Sequence, residues 1–421
     1  MRLKWQSREI FSSSNCQDNE MSLATRIRQE VANNREHIIA LAQNLIRVPS
    51  FSGDSEGLSE IAEITSAEMK HMGFSVELVE AQKGLTNVIG KLQDSQDAPC
   101  ILFNGHVDVV PVTDEENWVL APFSATVRDS RIYGRGACDM KGGLTAMLAA
   151  PRIVRSLFHN MKFNIILAAT VDEEIGGFTG LKYVVEQGLK ADMAIVCEPT
   201  DLSIVNICKG LLWLKLTTRG KSAHGGMPEN GINAIYKMAK ILTLLEHHDF
   251  KQAPHPVLGR PTINVGSIKG GQKPNIVPDS CQADIDIRYL PTQDHLTIIT
   301  ELKNLIADLG ESDPQIEAEL EMIRYRSSLE IKKDSTIIQT ILAGANDIIG
   351  REPGFMGMIS PADSEYLVRA GIPAVMYGPG HDSLCHTTNE WIAIDDILEA
   401  TCIYAAIILR SHGLESYSDS C

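Results

Sequence analysis

The stretch "FNIILAATVDEEIGG", residues 163–177, joins an apolar run to two adjacent glutamates and two glycines. The apolar part has the length and composition of a buried strand. Glu173 and Glu174 follow it side by side, and neighbouring carboxylates repel each other unless a cation lies between them or they share a proton. The stretch therefore suggests a cation at the end of a buried strand, with an exposed acidic edge as the alternative.

Similar apolar runs alternate with helical patterns around this stretch. We predict strands at "CILFNGHVDVV" (100–110) and "ADMAIVCEP" (191–199), with a helix beginning at "KGGLTAMLAA" (141–150) between them. Two more helices, 22–47 and 58–72, precede them. This alternation is typical of an α/β domain with a mostly parallel central sheet.

The pattern changes after "CKG", residues 208–210. A strand at "LLWLKLTTRG" (211–220) is followed by a helix, two strands, a second helix and the strand "IEAELEMIRY" (316–325). The order βαββαβ is that of a ferredoxin-like α+β domain. We therefore predict that this smaller domain is inserted into the larger one.

Length and composition set the domain count and the class of protein. A chain of 421 residues is long for a single core. We predict four segments: a disordered N-terminal extension (1–20), a metal-binding catalytic domain in two pieces (21–207 and 326–421) and the inserted domain (208–325). The formal charge of -16 argues against nucleic acid or an anionic membrane as a partner. No apolar run reaches the roughly 18 residues of a membrane span. Nine cysteines without a CxxC spacing predict reduced thiols and a cytoplasmic location.

Candidate metal ligands lie at the C-terminal ends of the predicted strands, where open α/β sheets bind ligands. They are His106, Asp108, Asp139, Glu173, Glu174 and Glu198, joined near the C-terminus by His381 and His386. Each one alone is more often a solvated or capping residue. Their repetition at successive strand ends favours a metal site, and imidazole with carboxylates suits Zn²⁺, Co²⁺ or Mn²⁺.

Several motifs together resemble the M20 metallopeptidase family, in its acetylornithine deacetylase/succinyl-diaminopimelate desuccinylase branch. They are "GHVDVVP" (105–111), "YGRGACDMKGG" (133–143), "TVDEEIGG" (170–177), "SAHGGMPENGINAI" (222–235) and "CHTTNEWI" (385–392). The resemblance runs from about Leu45 to the final helix. It implies a zinc-exopeptidase-like catalytic domain carrying an inserted dimerisation, or lid, domain.

The resemblance also implies two divalent metal ions per chain, with zinc expected and cobalt or manganese as alternatives. The implied ligands are His106 and Glu198 on one ion, Glu174 and His386 on the other, and Asp139 bridging both. Asp108 would orient the imidazole of His106, and Glu173 would act as the general base. Because neighbours on an extended strand point to opposite sides, we expect Glu174 to face the metal and Glu173 the reacting water.

Three residues of the inserted domain match further family positions. His224 would reach the active site of a neighbouring subunit in a homodimer and stabilise the oxyanion, although its local sequence reads equally as a surface turn. Asn275 and Arg288 would bind a carboxylate of a small-molecule substrate, for which an arginine fork is suited. Arg288 could also be a solvated residue on a strand.

The expected reaction is the hydrolysis of an amide bond, with three alternatives. The first is deacylation of an N-acyl amino acid, as in acetylornithine deacetylase. The second is a dipeptidase, a carboxypeptidase or a succinyl-diaminopimelate desuccinylase, although "GMISPADSEYL" (357–367) keeps only Asp363 of the typical desuccinylase stretch. The third is a binding protein without catalysis, which the complete ligand set disfavours.

Overall fold

The computed structural model describes residues 21–93, 98–159 and 161–414, so the predicted extension 1–20 lies outside the described residues. The helices are α1 (Leu23–Asn33), α2 (Arg35–Arg47), α3 (Ser55–His71), α4 (Gly142–Leu157), α5 (Leu181–Glu186), α6 (Ala234–Glu246), α7 (His295–Ser312), α8 (Thr336–Ile349), α9 (Ser364–Arg369) and α10 (Ile394–Ser411). The strands are β1 (Ser75–Gln82), β2 (Leu85–Gln93), β3 (Ile101–His106), β4 (Thr126–Arg128), β5 (Arg131–Tyr133), β6 (Asn164–Thr170), β7 (Met193–Val196), β8 (Ile204–Cys208), β9 (Gly210–Arg219), β10 (Thr262–Gly270), β11 (Ser280–Tyr289), β12 (Glu317–Arg326), β13 (Leu329–Glu330), β14 (Phe355–Met358), β15 (Ala374–Met376) and β16 (Trp391–Ala393).

The large sheet has the order β1-β2-β6-β3-β7-β15-β8-β13, with β14 also paired to β8. Its centre is parallel, because β6, β3, β7 and β15 run in one direction. Antiparallel pairs flank this centre at β1–β2, β2–β6, β15–β8 and β8–β13. The α/β class is confirmed, and the sheet is mixed, with a parallel centre.

Burial explains why the central strands form here. Every residue of β3 and β6 is buried, as expected for strands covered on both faces. Helices α4, α8 and α10 pack together and contribute to the same core. Leu167 on β6 is fully buried in that core, so truncation to alanine would cost about 2–5 kcal/mol. This packing holds the strand ends at fixed positions.

The second sheet has the order β10-β11-β9-β12 and is antiparallel throughout. Helices α6 and α7 contribute to its core, which contains the alternate residues Leu212, Leu214 and Leu216 of β9. The other face of β9 carries Trp213, which is exposed. The element order β9-α6-β10-β11-α7-β12 with this strand order is ferredoxin-like. The boundaries 208 and 325 stay a prediction, and the strands of this sheet run from Gly210 to Arg326.

Two details of the secondary structure differ from the pattern. The predicted helix 22–47 is two helices, because Asn34 leaves the helical path and its side chain donates to the carbonyl of Glu30. The short strands β8, β13 and β14 carry no clear periodicity, and they form because β13 and β14 each pair with β8, which pairs with β15.

A third, small sheet joins distant parts of the chain. Strand β16 pairs with β5, and Trp391 lies opposite Tyr133. The loop before β16 is thereby placed against the loop after β5, and these loops carry His386 and Asp139. Over residues 21–93, 98–159 and 161–414, none of the helices combines the length and apolarity needed to cross a bilayer.

Candidate active site

The candidate site lies at the C-terminal ends of the parallel central strands. His106 is the last residue of β3 and lies opposite Thr170, the last residue of β6. Glu198 follows the end of β7 by two residues. Since parallel neighbours end at the same edge of the sheet, this register brings the side chains together. The side chains predicted at the strand ends thus lie together at one edge of the sheet, and their role as a site stays a prediction.

Two groups of side chains there could each hold a metal ion. One contains His106, Asp139 and Glu198, the other contains Asp139, Glu174 and His386, and the ligand atoms of each group lie within 4.8 Å of one another. Asp139 Oδ1 is 3.0 Å from His106 Nε2, whereas Asp139 Oδ2 is 3.3 Å from His386 Nε2. One carboxylate therefore faces both groups. His381, the other candidate of the sequence, belongs to neither group.

The electrostatics of these groups fit a cation. Burial raises the pKa of Glu174 to about 7, although a hydrogen bond with His386 opposes that rise, and burial holds the pKa of Glu198 well above its usual value. Glu174 Oε1 is buried and, among the described residues, has no hydrogen-bond partner. Carboxylates this close together and this deeply buried are stabilised by a positive ion. The residues present therefore fit a pair of divalent cations.

The tautomer of His106 suits metal binding. Its Nδ1 lies 2.9 Å from the backbone carbonyl oxygen of Asp108, which can only accept, so Nδ1 carries the proton. In the neutral ring, which is the form that binds metal, Nε2 then presents its lone pair on the side of Asp139 and Glu198. Burial alone would lower the pKa of His106, but its contacts with Asp139 and the charge of Glu198 raise it well above the usual value. Orientation of a ligand imidazole through its other nitrogen is a common feature of metal sites.

The carboxylate of Asp108 mainly holds the turn that carries the two glutamates. It accepts hydrogen bonds from the backbone amides of Glu173 and Glu174, at 3.2 and 3.3 Å, and from Ser52 Oγ at 2.6 Å. Its Oδ1 lies 3.6 Å from His106 Nδ1. Asp108 therefore lies near the imidazole that it is expected to orient, and it also binds the turn of the two glutamates.

The expectation of an extended strand at Glu173 and Glu174 was wrong. β6 ends at Thr170, and Glu173–Ile175 forms a single 3₁₀ turn. The strand stops because Asp172 adopts a left-handed conformation with φ of 72°, and Gly176 follows with φ of 125°. The different environments of the two glutamates therefore arise from the turn and from the side chains around it.

Glu390 is a residue of this site that sequence reasoning missed. It is fully buried and accepts hydrogen bonds from the backbone amides of Gly136, Cys138 and Asp139 and from Arg135, at 2.8–3.1 Å. It therefore fixes the loop that carries Asp139. The signal was the acidic residue four positions after His386 in "CHTTNEWI", where an acidic residue enters a short strand.

Glu173 lies beside the two groups without belonging to either. Its side chain is 16% exposed, and burial raises the pKa of its carboxyl. Arg326 Nη1 lies 3.8 Å from Glu173 Oε1. A buried carboxyl with a raised pKa beside a metal site is suited to proton transfer.

The three residues assigned to the inserted domain lie on or next to the second sheet. The backbone of His224 bridges to Ile276, and the amide of Gly225 donates to the carbonyl of Asn275, so the two loops are joined. The guanidinium of Arg288 donates to Asp286 through Nε and Nη2 and to Ser360 Oγ through Nη1. Neither of the two metal groups in the described chain includes these residues.

Comparison with known families matches residues 102–410 to the model described as peptidase family M20/M25/M40. The chain belongs to this family. Membership makes it a hydrolase, in agreement with the site and with the resemblance found from the motifs.

Curated relatives and solved structures extend over most of the chain. It is 29% identical over 411 residues to the N-formyl-4-amino-5-aminomethyl-2-methylpyrimidine deformylase of Bacillus subtilis (strain 168), covering 91% of this chain and 96% of the relative. It is also 29% identical over 366 residues to the acetylornithine deacetylase of Myxococcus xanthus, covering 84% and 92%. An M20 family metallo-carboxypeptidase from Sulfolobus solfataricus matches with a TM-score of 0.71 and 26% identity, covering 88% and 98%.

Proposed function

We propose that this M20 family hydrolase removes the acyl group from an N-acyl amino acid by metal-dependent hydrolysis of the amide bond. The observation that carries the proposal is the arrangement of Asp139 between two ligand groups with Glu173 beside them and outside both. Two bound divalent ions, with zinc expected and cobalt or manganese as alternatives, would polarise the amide carbonyl and lower the pKa of water.

Glu173 is the proposed general base. It takes a proton from the attacking water and delivers it to the nitrogen of the leaving amine. Burial raises the pKa of Glu173, and this direction supports the role because it makes the carboxylate a stronger base and the proton easier to retain until the amine leaves. The hydrogen bond from the backbone amide of Glu173 to the Asp108 carboxylate holds the turn in place during the proton transfer.

His224 is the proposed donor to the oxyanion, contributed by the second subunit of a homodimer. Its Nδ1 accepts a hydrogen bond from the amide of Gly226 at 3.0 Å. The neutral imidazole must therefore carry its proton on Nε2, and this exposed N–H is the donor that an oxyanion requires. This tautomer supports the proposed role. In a homodimer, the His224 side chain of one chain would lie at the active site of the other.

Asn275 and Arg288 are the proposed contacts for the carboxylate of a small-molecule substrate. Asp286 fixes the plane of the Arg288 guanidinium through Nε and Nη2, while Nη1 contacts Ser360 of the catalytic part. Asn275 lies beside the His224 loop, as its backbone contact with Gly225 demonstrates. We also propose a cytoplasmic location, because the cysteines within the described ranges are free thiols.

A carboxypeptidase is the second candidate, because the Sulfolobus metallo-carboxypeptidase is similar along nearly its whole length. The chemistry at the metals would be the same, with a peptide bond in place of the acyl amide. A desuccinylase remains a further alternative within the family.

A substrate screen tests the proposal. Purified protein loaded with Zn²⁺ or Co²⁺ is assayed on N-formyl, N-acetyl and N-succinyl amino acids and on dipeptides, with the Glu173→Gln protein as the matched control. We expect release of free amino acid from a short-chain acyl substrate by the wild type alone. Preference for dipeptides would select the peptidase. Hydrolysis of none of these substrates would contradict both.

Mixing two inactive proteins tests the dimer. His224→Ala and Glu173→Gln chains, each inactive alone, should regain partial activity after subunit exchange, because one site of the mixed dimer contains both groups. Exchange is verified independently with differently tagged chains. Proven exchange without recovered activity would exclude action of His224 across the subunits.

A further inference from the structure

Arg326 lies where the last strand of the second sheet returns to the catalytic part of the chain. It is the final residue of β12, and its backbone carbonyl accepts a hydrogen bond from the buried hydroxyl of Tyr289 on β11 at 2.9 Å. Its side chain points the other way, into the catalytic part. Arg326 therefore connects the second sheet to the catalytic part of the chain.

On the catalytic side, the guanidinium of Arg326 is surrounded by acidic groups. Nε donates to Glu365 Oε1 at 3.0 Å, and Nη2 donates to Asp363 Oδ1 at 3.4 Å. The other oxygen of Glu365 accepts from the amide of Ser327 at 2.9 Å. Glu365 on α9 thus anchors both the side chain of Arg326 and the backbone that follows it.

The remaining arm of the guanidinium reaches the turn of the general base. Nη1 lies 3.8 Å from Glu173 Oε1 and donates to the carbonyl of Gly176 at 3.4 Å. The same carbonyl accepts from the hydroxyl of Tyr366 at 2.6 Å, and the Tyr366 ring lies 4.6 Å from the Arg326 guanidinium. The guanidinium therefore lies at ion-pair distance from the Glu173 carboxylate and donates a hydrogen bond to the backbone directly after the turn.

The Arg326 side chain is buried and its donors face protein groups. The residue is 3% exposed, and its donors face Glu365, Asp363, Glu173 and Gly176. Arg324, two residues earlier, also binds this turn, through the carbonyl of Ile175 at 3.1 Å. The end of β12 is thus attached twice to the short turn Glu173–Ile175 and the glycine after it.

We propose that Arg326 is a positioning residue that holds Glu173 in place for proton transfer and links the base to the position of the second sheet. The proposal rests on the proposed role of Glu173 as general base. A movement of the second sheet at β12 would shift the guanidinium and, with it, the carboxylate that must face the reacting water. Catalytic alignment would then depend on the arrangement of the two sheets.

The test replaces Arg326 with methionine, which keeps length and removes the charge, and with lysine, which keeps the charge without the fork. Arg410→Met is the matched control, because Arg410 also forms a two-point ion pair, with Asp347, on other helices. We expect Arg326→Met to lower kcat by about 100-fold with KM nearly unchanged, because misplacing a reacting group by about 1 Å has that effect. Arg326→Lys should recover part of the loss, and Arg410→Met should leave kcat unchanged.

Metal content and hydrogen exchange provide readouts besides activity. Arg326→Met should keep the wild-type metal content, and the amides of residues 172–178 should exchange faster than in wild type or in Arg410→Met. A raised KM with unchanged kcat would instead mean that Arg326 binds substrate and would overturn the proposal. Metal loss together with activity, or wild-type kcat in Arg326→Met, would overturn it too.

Two further measurements keep the test decisive. If Arg326→Met does not fold, Glu365→Gln loosens the anchor while keeping the guanidinium, and it should give a smaller loss of kcat with faster exchange of the same turn. If the wild-type protein hydrolyses no amide, the proposed function fails. Exchange at residues 172–178 still reports whether Arg326 orders the turn, so the two failures are distinguishable. Unchanged exchange in both variants would refute the positioning role.

Discussion

The two candidate metal groups differ in how the chain builds them. The His106 side chain is 1% exposed and ends a fully buried strand, whereas the His386 side chain is 53% exposed and lies in a loop with φ of 60°. Glu198 follows a buried strand, while Glu174 belongs to a 3₁₀ turn. The buried core therefore fixes the first group, which contains His106 and Glu198. Loops fix the second group, which contains Glu174 and His386. We expect the first group to bind its ion more tightly and the second to exchange ions more readily.

The largest expected effect is that of Asp139→Ala, because this carboxylate faces both groups. The variant should lose both ions and all measurable hydrolysis, since the remaining ligands of each group are too few to hold a divalent ion. Elemental analysis of protein purified without chelator measures the loss. Full retention of metal would disprove the shared role of Asp139.

Glu173→Gln and Glu174→Gln should separate catalysis from metal binding. Glu173→Gln should keep the metal content and lose about 10²–10⁴-fold in kcat, the usual contribution of a general base. Glu174→Gln should instead lower the affinity of the second group for its ion. Metal titrations and kinetics on the same preparations distinguish the two. Exchanged phenotypes would reverse the assignment.

His106→Ala and His386→Ala compare the two groups directly. Each should lose one ion, but the His386 variant should keep the tighter one, because its buried group is intact. Stepwise removal of zinc with a chelator measures the affinities in each variant. If the ion left in His106→Ala is held more tightly than the one left in His386→Ala, the comparison between core and loops fails.

The smallest expected effect is on the pH dependence of the metal-free protein. Burial raises the pKa of Glu174 from 4.5 to about 7, so folding opposes its ionisation and stability falls as pH rises across that range. Hydrogen bonds to Asp139 and Glu174 raise the pKa of His386 from 6.5 to about 10, so its stabilising contribution is full below 6.5 and is lost as pH rises through about 10. Both signs agree. The melting temperature of chelator-treated protein should fall from about pH 5 to pH 9, and less so in Glu174→Gln. A rise over that range would contradict the assignment.

Sequence patterns predicted the parts of this molecule that depend on burial. The central strands β3 and β6 and the ferredoxin-like order of the second sheet follow from the apolar runs, and the acidic and histidine residues after those runs lie together at the sheet edge. The features that depend on pairing between distant segments could not be predicted from the sequence. Glu390 acts on the Asp139 loop from more than 250 residues away, and β14 is a strand only because β8 lies beside it. The turn at Glu173 was missed because a left-handed Asp172 leaves no periodic signal.

The Glu390 clamp has a consequence for anyone who would transplant this centre into another scaffold. Copying the five candidate ligands alone would omit the residue that holds the Asp139 loop in place; these ligands are His106, Asp139, Glu174, Glu198 and His386. Three backbone amides and one arginine converge on the Glu390 carboxylate, only four residues from His386. A graft without Glu390 would leave the Asp139 loop without its hydrogen-bond acceptor, so we expect it to bind metal weakly even with all five candidate ligands in place. The smallest part of the site that could be transferred is therefore the Asp139 loop and the His386 loop together with Glu390.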